Sequence, residues 1–123
     1  MLLSINESDN RPIYQQLAGQ VKEQLSKGIL KTGDELPSVR ELSDSLGINM
    51  HTVRRAYLEL RDQGILNLRL GRKAKIAAGS SRLMQADAVE SIRNRLLEAV
   101  TDARLAGFTP EDIKKIIDTS LED

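Results

Sequence analysis

Residues 36–54 read Leu36-Pro37-Ser38-Val39-Arg40-Glu41-Leu42-Ser43-Asp44-Ser45-Leu46-Gly47-Ile48-Asn49-Met50-His51-Thr52-Val53-Arg54. Ser38 and Glu41 stand at the spacing of a capping box, in which each side chain satisfies a free backbone N–H at a helix start. A helix beginning at Val39 puts Val39, Leu42 and Leu46 on one buried face. Gly47 ends it, and Asn49 caps the next helix within two residues. Two helices joined by a short Gly-containing turn form a helix-turn-helix. The second of them runs from about Met50 to Gln63, with Val53, Tyr57 and Leu60 facing inward and Gly64 closing it.

Outward from this motif the pattern stays regular. Residues 1–10 read as an arm or short strand in which Leu3 and Ile5 alternate. Pro12 suits the first position of a helix, where its missing N–H costs nothing. Ile13, Leu17, Val21 and Leu25, with Ala18 beside them, form one apolar stripe up to Gly28. Residues 31–34 form a turn. Past Gly64, Leu66, Leu68 and Leu70 alternate with Asn67 and Arg69, the period of a strand. Gly71-Arg72-Lys73 then turns the chain, and Lys75-Ile76-Ala77 returns as a second strand. The fold class is therefore mainly α with a small β-hairpin: a winged helix-turn-helix over residues 1–78. A helical tail over residues 79–123 follows a joint at Gly79-Ser80-Ser81. Its first helix, from about Leu83 to Leu105, carries Val89, Ile92, Leu96, Ala99 and Ala103 near heptad spacing, widened by Leu97 and Val100. Gly107 breaks it. Thr109-Pro110-Glu111-Asp112 opens a last helix whose apolar face is Ile113, Ile116, Ile117 and Leu121.

Composition narrows the function. The 123-residue chain has no cysteine, which removes disulfides and thiolate metal sites and fits a cytoplasmic location. With one histidine and no recognisable pairing of acids, an enzyme has little support, and no metal or cofactor is expected. No apolar run reaches the length of a membrane span. The formal net charge is zero, but residues 49–79 hold 7 Lys and Arg against 2 Asp and Glu. That local excess is the electrostatic footprint of a nucleic-acid partner.

The second helix of the motif, its inner face fixed, turns Met50, His51, Arg54 and Arg55 outward. Its first turn, Asn49 to Thr52, sets compact polar groups at the positive helix end, where recognition helices meet base edges. Arg40 lies in the first turn of the preceding helix, beside Ser38, where the dipole favours phosphate. Arg72 and Lys73 at the hairpin tip reach a backbone or minor groove. Singly, each of these residues is also compatible with a solvated surface, and Arg40 with an ion pair to Asp44.

These residues carry a family. The runs Pro12-Ile13-Tyr14-Gln15-Gln16-Leu17, Gly28 to Leu42, Leu46-Gly47-Ile48-Asn49 and Thr52-Val53-Arg54-Arg55-Ala56-Tyr57, with Leu60 and Gln63-Gly64, closely resemble the GntR family of bacterial transcription regulators. The resemblance covers about residues 11–77. The short tail resembles the YtrA-type subfamily, whose tail dimerises and whose members often control transporter operons. The resemblance implies a double-stranded DNA operator as partner. It puts DNA contacts on Arg40, Asn49, His51, Thr52, Arg54 and the wing-tip Gly71. Two departures stand out. Met50 occupies a position where many members have a base-reading arginine, which favours a thymine methyl over guanine. The wing, Gly71-Arg72-Lys73-Ala74-Lys75-Ile76, lacks the usual second glycine and the Thr-Phe after it.

Two amphipathic helices cannot bury their stripes alone. The expectation is a homodimer through Val89, Ile92, Leu96, Val100, Ala103, Ile113, Ile116 and Ile117, which spaces two recognition helices about one DNA turn apart. No small-molecule pocket is expected wholly within residues 80–123, and the existence of an effector stays open. The expected function is sequence-specific operator binding, with repression as its outcome. The competing reading is a winged helix used as a protein-interaction module without specific DNA binding.

Overall fold

The computed structural model describes residues 3–69, 72–77 and 86–122. The chain divides into two compact units, Met1–Arg82 and Leu83–Asp123. The boundary expected at 78/79 lies outside the described residues.

The first unit orders α1 (Ile13–Ser26), β1 (Glu35–Leu36), α2 (Val39–Leu46), α3 (Met50–Asp62), β2 (Leu66–Asn67) and β3 (Ala74–Ile76). This is a winged helix. Helix α3 is its centre, packed against α1, α2 and β2. The reason is its apolar face: Val53, Ala56, Tyr57 and Leu60 are all buried. They meet Leu17, Ala18 and Val21 of α1, Leu42 of α2, and Leu36, Leu66, Ala74 and Ile76 of the sheet in one aliphatic core. Fully burying a Val or Leu side chain is worth about 1.5–3 kcal/mol, so this face anchors α3 and leaves its other faces to solvent.

The wing differs from a simple hairpin. The sheet has three antiparallel strands in the order β1-β3-β2. Glu35 lies opposite Lys75 and Leu36 opposite Ala74, while Leu66 lies opposite Ile76 and Asn67 opposite Lys75. The added strand β1 follows the turn of residues 31–34, where the Lys31 N–H donates to Asp34 Oδ2 at 2.8 Å. The alternation through Leu68 and Leu70 yields strand structure only at Leu66–Asn67, and the return strand begins one residue early, at Ala74. Leu70 lies outside the described residues.

Among the described residues the N-terminal arm forms no strand, and no strand lies beside it. Side-chain amides of α1 pair with its backbone instead. The Asn6 N–H donates to Gln16 Oε1 (2.9 Å), and Gln16 Nε2 donates back to the Asn6 carbonyl (3.2 Å) and to that of Arg11 (3.0 Å). One helical turn on, Gln20 repeats the exchange with Ser4, at 3.0 and 2.6 Å. Leu3 is thereby pressed into the core. Pro12 stands at the N-cap rather than at the first helical position, its carbonyl accepting from the N–H groups of Gln15 and Gln16.

The second unit holds α4 (Ala86–Leu105) and α5 (Pro110–Glu122). The expected start at Leu83 and the joint at residues 79–81 lie outside the described residues. The cap at Thr109 forms as a reciprocal pair: the Asp112 N–H donates to Thr109 Oγ1 (3.2 Å) and the Thr109 N–H to Asp112 Oδ2 (2.9 Å). That pair holds the Asp112 carboxyl below its usual range. A depression of about 510 Å³ opens on this unit, lined by Phe108, Asp112, Lys115, Ile116, Thr119 and Ser120. Every lining residue comes from α5 or the turn before it, so no second helix walls it.

Candidate nucleic-acid interface

Local chemistry sets the approach to α3. The Glu41 N–H donates to Ser38 Oγ (3.1 Å) and the Ser38 N–H to Glu41 Oε1 (3.3 Å), the expected capping box. These bonds lower the Glu41 carboxyl below its usual range, helped by the Lys73 charge. Helix α2 ends at Gly47, whose φ of +67° is left-handed, a conformation glycine enters without a Cβ penalty. The Asn49 side chain then accepts the His51 N–H at 2.8 Å and starts α3. The start of α2 is tied to α3 by Tyr57, whose part-buried hydroxyl donates to the Pro37 carbonyl at 2.6 Å.

The start of α2, the outer face of α3 and the wing enclose a groove of about 660 Å³. Its lining gathers Ser38 and Arg40 from α2's start, Met50, His51 and Arg54 from α3, and Arg72 from the wing. Among the described residues five arginines line it, with no acid beside them. Among the described residues, Arg40, Arg54, Arg69 and Arg72 make no ion pair, and the Arg40–Asp44 pair weighed from spacing does not form. Guanidinium groups so placed attract an anion and offer bidentate N–H forks. Met50 adds an apolar tip, 46% exposed.

Other candidates lie elsewhere. Asn49 spends its side-chain oxygen on the cap, and the half-buried Thr52 does not line the groove. Arg55 turns to α1 and stacks on Tyr14, its guanidinium carbon 3.8 Å from the ring centroid. Lys73 lies 3.6 Å from Glu41 Oε2, an exposed pair that ties the wing to α2. Gly71 lies outside the described residues.

Sequence reasoning missed Arg61 and Arg69, which also line the groove. The signal for Arg61 was present: it follows Arg54 by seven residues, two helical turns along the same face. Arg69 had none, because the wing's fold back onto α3 is a tertiary event.

The sequence model of bacterial regulatory proteins of the gntR family matches residues 13–76, just over half of the chain and nearly all of the described winged helix. The chain belongs to the GntR family. The HTH-type transcriptional repressor YtrA of Bacillus subtilis (strain 168) is 35% identical over 116 residues, covering 94% of this chain and 89% of YtrA. The GntR fold extends to solved structures. A structure titled transcriptional antiterminator from Listeria monocytogenes EGD-e matches with a TM-score of 0.87 at 32% identity, over 98% of this chain and 90% of that one. YtrA from Sulfolobus acidocaldarius, a GntR-family transcription factor, matches with a TM-score of 0.62 at 38% identity, over 80% of this chain and 99% of that one. The relatives are transcription regulators, and so is this GntR-family chain; it is not an enzyme.

Proposed function

We propose that the chain is a cytoplasmic homodimeric repressor that reads a pseudo-palindromic operator. The observation that carries this is the acid-free groove, with its five arginines, beside the first turn of α3. In the proposal, Met50, His51 and Arg54 meet base edges, assisted by the free amide N–H groups of Asn49 and by Thr52. Ser38, Arg40, Arg55, Arg72, Lys73 and the Gly71 backbone hold phosphates. A transporter operon is the target that the sequence resemblance implies. Among the described residues no helix is long and apolar enough to cross a membrane.

The tail supports two-fold pairing. Val89, Ile92, Leu96, Ile116 and Ile117 are all exposed within one chain, and Val100, Ala103 and Ile113 only half-buried. The apolar stripes of α4 and α5 are therefore largely uncovered within one chain. A second copy would bury both stripes and space two α3 helices about 34–36 Å apart, one turn of DNA. The domain roles follow: residues 1–78 bind DNA and residues 79–123 dimerise.

Selection of bound sequences from random duplex DNA tests the reading. The expected outcome is an inverted repeat with half-site centres about 10 base pairs apart or a multiple of that. A pool that stays random after repeated rounds sinks operator recognition and favours a protein-interaction module. For the tail, Leu96→Asp should turn a dimer into monomers in sedimentation; an intact dimer moves the interface off the α4 stripe.

A further inference from the structure

Arg55 follows Arg54 on α3, but the two point apart. Arg54 lines the groove on the wing side, whereas Arg55 lies over the ring of Tyr14 on the α1 side. The stack is also hydrogen-bonded: Arg55 Nη2 donates to the Tyr14 hydroxyl oxygen at 3.1 Å. Gln15 Nε2 donates to the same oxygen at 3.2 Å. Both bonds use the phenolic oxygen as acceptor, and among the described residues no protein group accepts its O–H. The Tyr14 O–H is therefore left to donate outward. The other N–H groups of Arg55 have no protein partner among the described residues.

The exposed edge of this cluster consequently offers donors and a positive charge. A base edge is uncharged, even where, as in guanine, it offers acceptors alone. A phosphodiester offers acceptors and a negative charge, which matches. Stacking on a ring also holds the planar guanidinium fork in one orientation and reduces what it must lose on binding.

We propose that Tyr14 and Arg55 form a phosphate clamp on the α1 side of α3, taking a backbone phosphate of the duplex whose groove α3 enters. The clamp faces away from the wing, so the duplex backbone is held on both sides of α3. Tyr14 supplies one O–H donor and orients Arg55, which supplies the charge. The inference rests on the duplex-reading function proposed above, and it adds Tyr14 as the residue that orients the phosphate-holding Arg55.

Affinity measured by fluorescence anisotropy across a salt series tests it, using the full chain with two duplexes. One is the sequence recovered by selection, the other a random-sequence duplex of equal length. Arg55→Gln should weaken both by a similar factor, about tenfold per subunit, and reduce the slope of log K against log salt by about 0.9 per subunit, about 1.8 for the bound dimer. Tyr14→Phe keeps the stack and loses only the hydroxyl, so it should give a smaller uniform loss with the slope unchanged. Tyr14→Leu, which abolishes the stack, should approach Arg55→Gln; an unaltered melting temperature for Tyr14→Phe guards against loss of fold. A loss confined to the selected duplex overturns the clamp in favour of base readout. Unchanged affinity in Arg55→Gln and Tyr14→Phe overturns it in favour of a purely structural pair. Failure of the parent chain to prefer any duplex strikes the underlying function and the clamp with it, so the two failures are told apart.

Discussion

Replacing Tyr57 by Phe removes one oxygen atom from the centre of the winged helix. The ring is 1% exposed, and its hydroxyl donates to the Pro37 carbonyl at 2.6 Å, joining α3 to the residues that start α2. Phe preserves the packing volume, so the cost is the lost hydrogen bond plus a carbonyl left poorly solvated. The net bond is worth about 1 kcal/mol and a stranded buried acceptor about 1–3 kcal/mol. The bond is only part-buried, which places the total near the low end, about 1–2 kcal/mol. For a unit of this size, 1 kcal/mol moves the melting temperature by about 4–8 °C. Urea unfolding at fixed protein concentration, which keeps any dimer contribution constant, should show a lower midpoint with the same slope. There is a second signature. Burial, with a smaller contribution from the Glu41 charge, pushes the Tyr57 phenol above its ordinary value. A group with a raised folded pKa contributes stability that is fully present below the unfolded value, about 10, and is lost as pH rises beyond it. The parent should therefore lose this contribution above about pH 10 while the Phe variant has none to lose, and the gap between them should narrow. A stability difference under about 0.5 kcal/mol, or a gap that does not change between about pH 8 and 11, refutes the account of Tyr57 as the tie between α3 and the start of α2.

Three further outcomes follow from the same geometry. Gly47→Ala should destabilise by about 1–2 kcal/mol through backbone conformation alone, since an added Cβ meets nothing within 4 Å. Gly47→Asn should recover part of that loss in thermal melts, and an Ala variant as stable as the parent would contradict it. Gln16→Ala should speed hydrogen exchange at the Asn6 amide while leaving the amides of α3 protected; equal acceleration of both would mean the arm opens only with the whole unit. The carboxyls of Glu41 and Asp112, lowered by their helix-start hydrogen bonds, contribute stability above their unfolded values near pH 4.5 and 4, lost as pH falls. In an acid titration, Ser38→Ala should make the decline shallower; an identical acid limb would show that the capping box is not what lowers Glu41.

What the sequence determined by itself is local. The capping boxes at Ser38–Glu41 and Thr109–Asp112, the stop at Gly47 and the cap at Asn49 depend on residues within four positions of one another. The stripes of α1 and α3 follow from helical period alone, and a buried Val53, Tyr57 and Leu60 fix which face of α3 turns outward. That was enough for the winged helix and for naming Ser38, Arg40, Met50, His51, Arg54 and Arg72, which the packing of the wing against α3 then gathers in one groove.

Tertiary structure decided everything that needed a partner distant in the chain. β1 is two residues long, too short for any period, and exists because β3 lies beside it. The arm has the alternation of a strand, yet among the described residues no strand neighbours it, and Gln16 and Gln20 take backbone hydrogen bonds of Asn6 and Ser4. Arg54 and Arg55 are adjacent and chemically identical, but about 100° of helical turn separates them. One lines the groove beside the wing and the other stacks on Tyr14. A side chain's direction is written locally; what stands in that direction depends on how the helices and the wing pack.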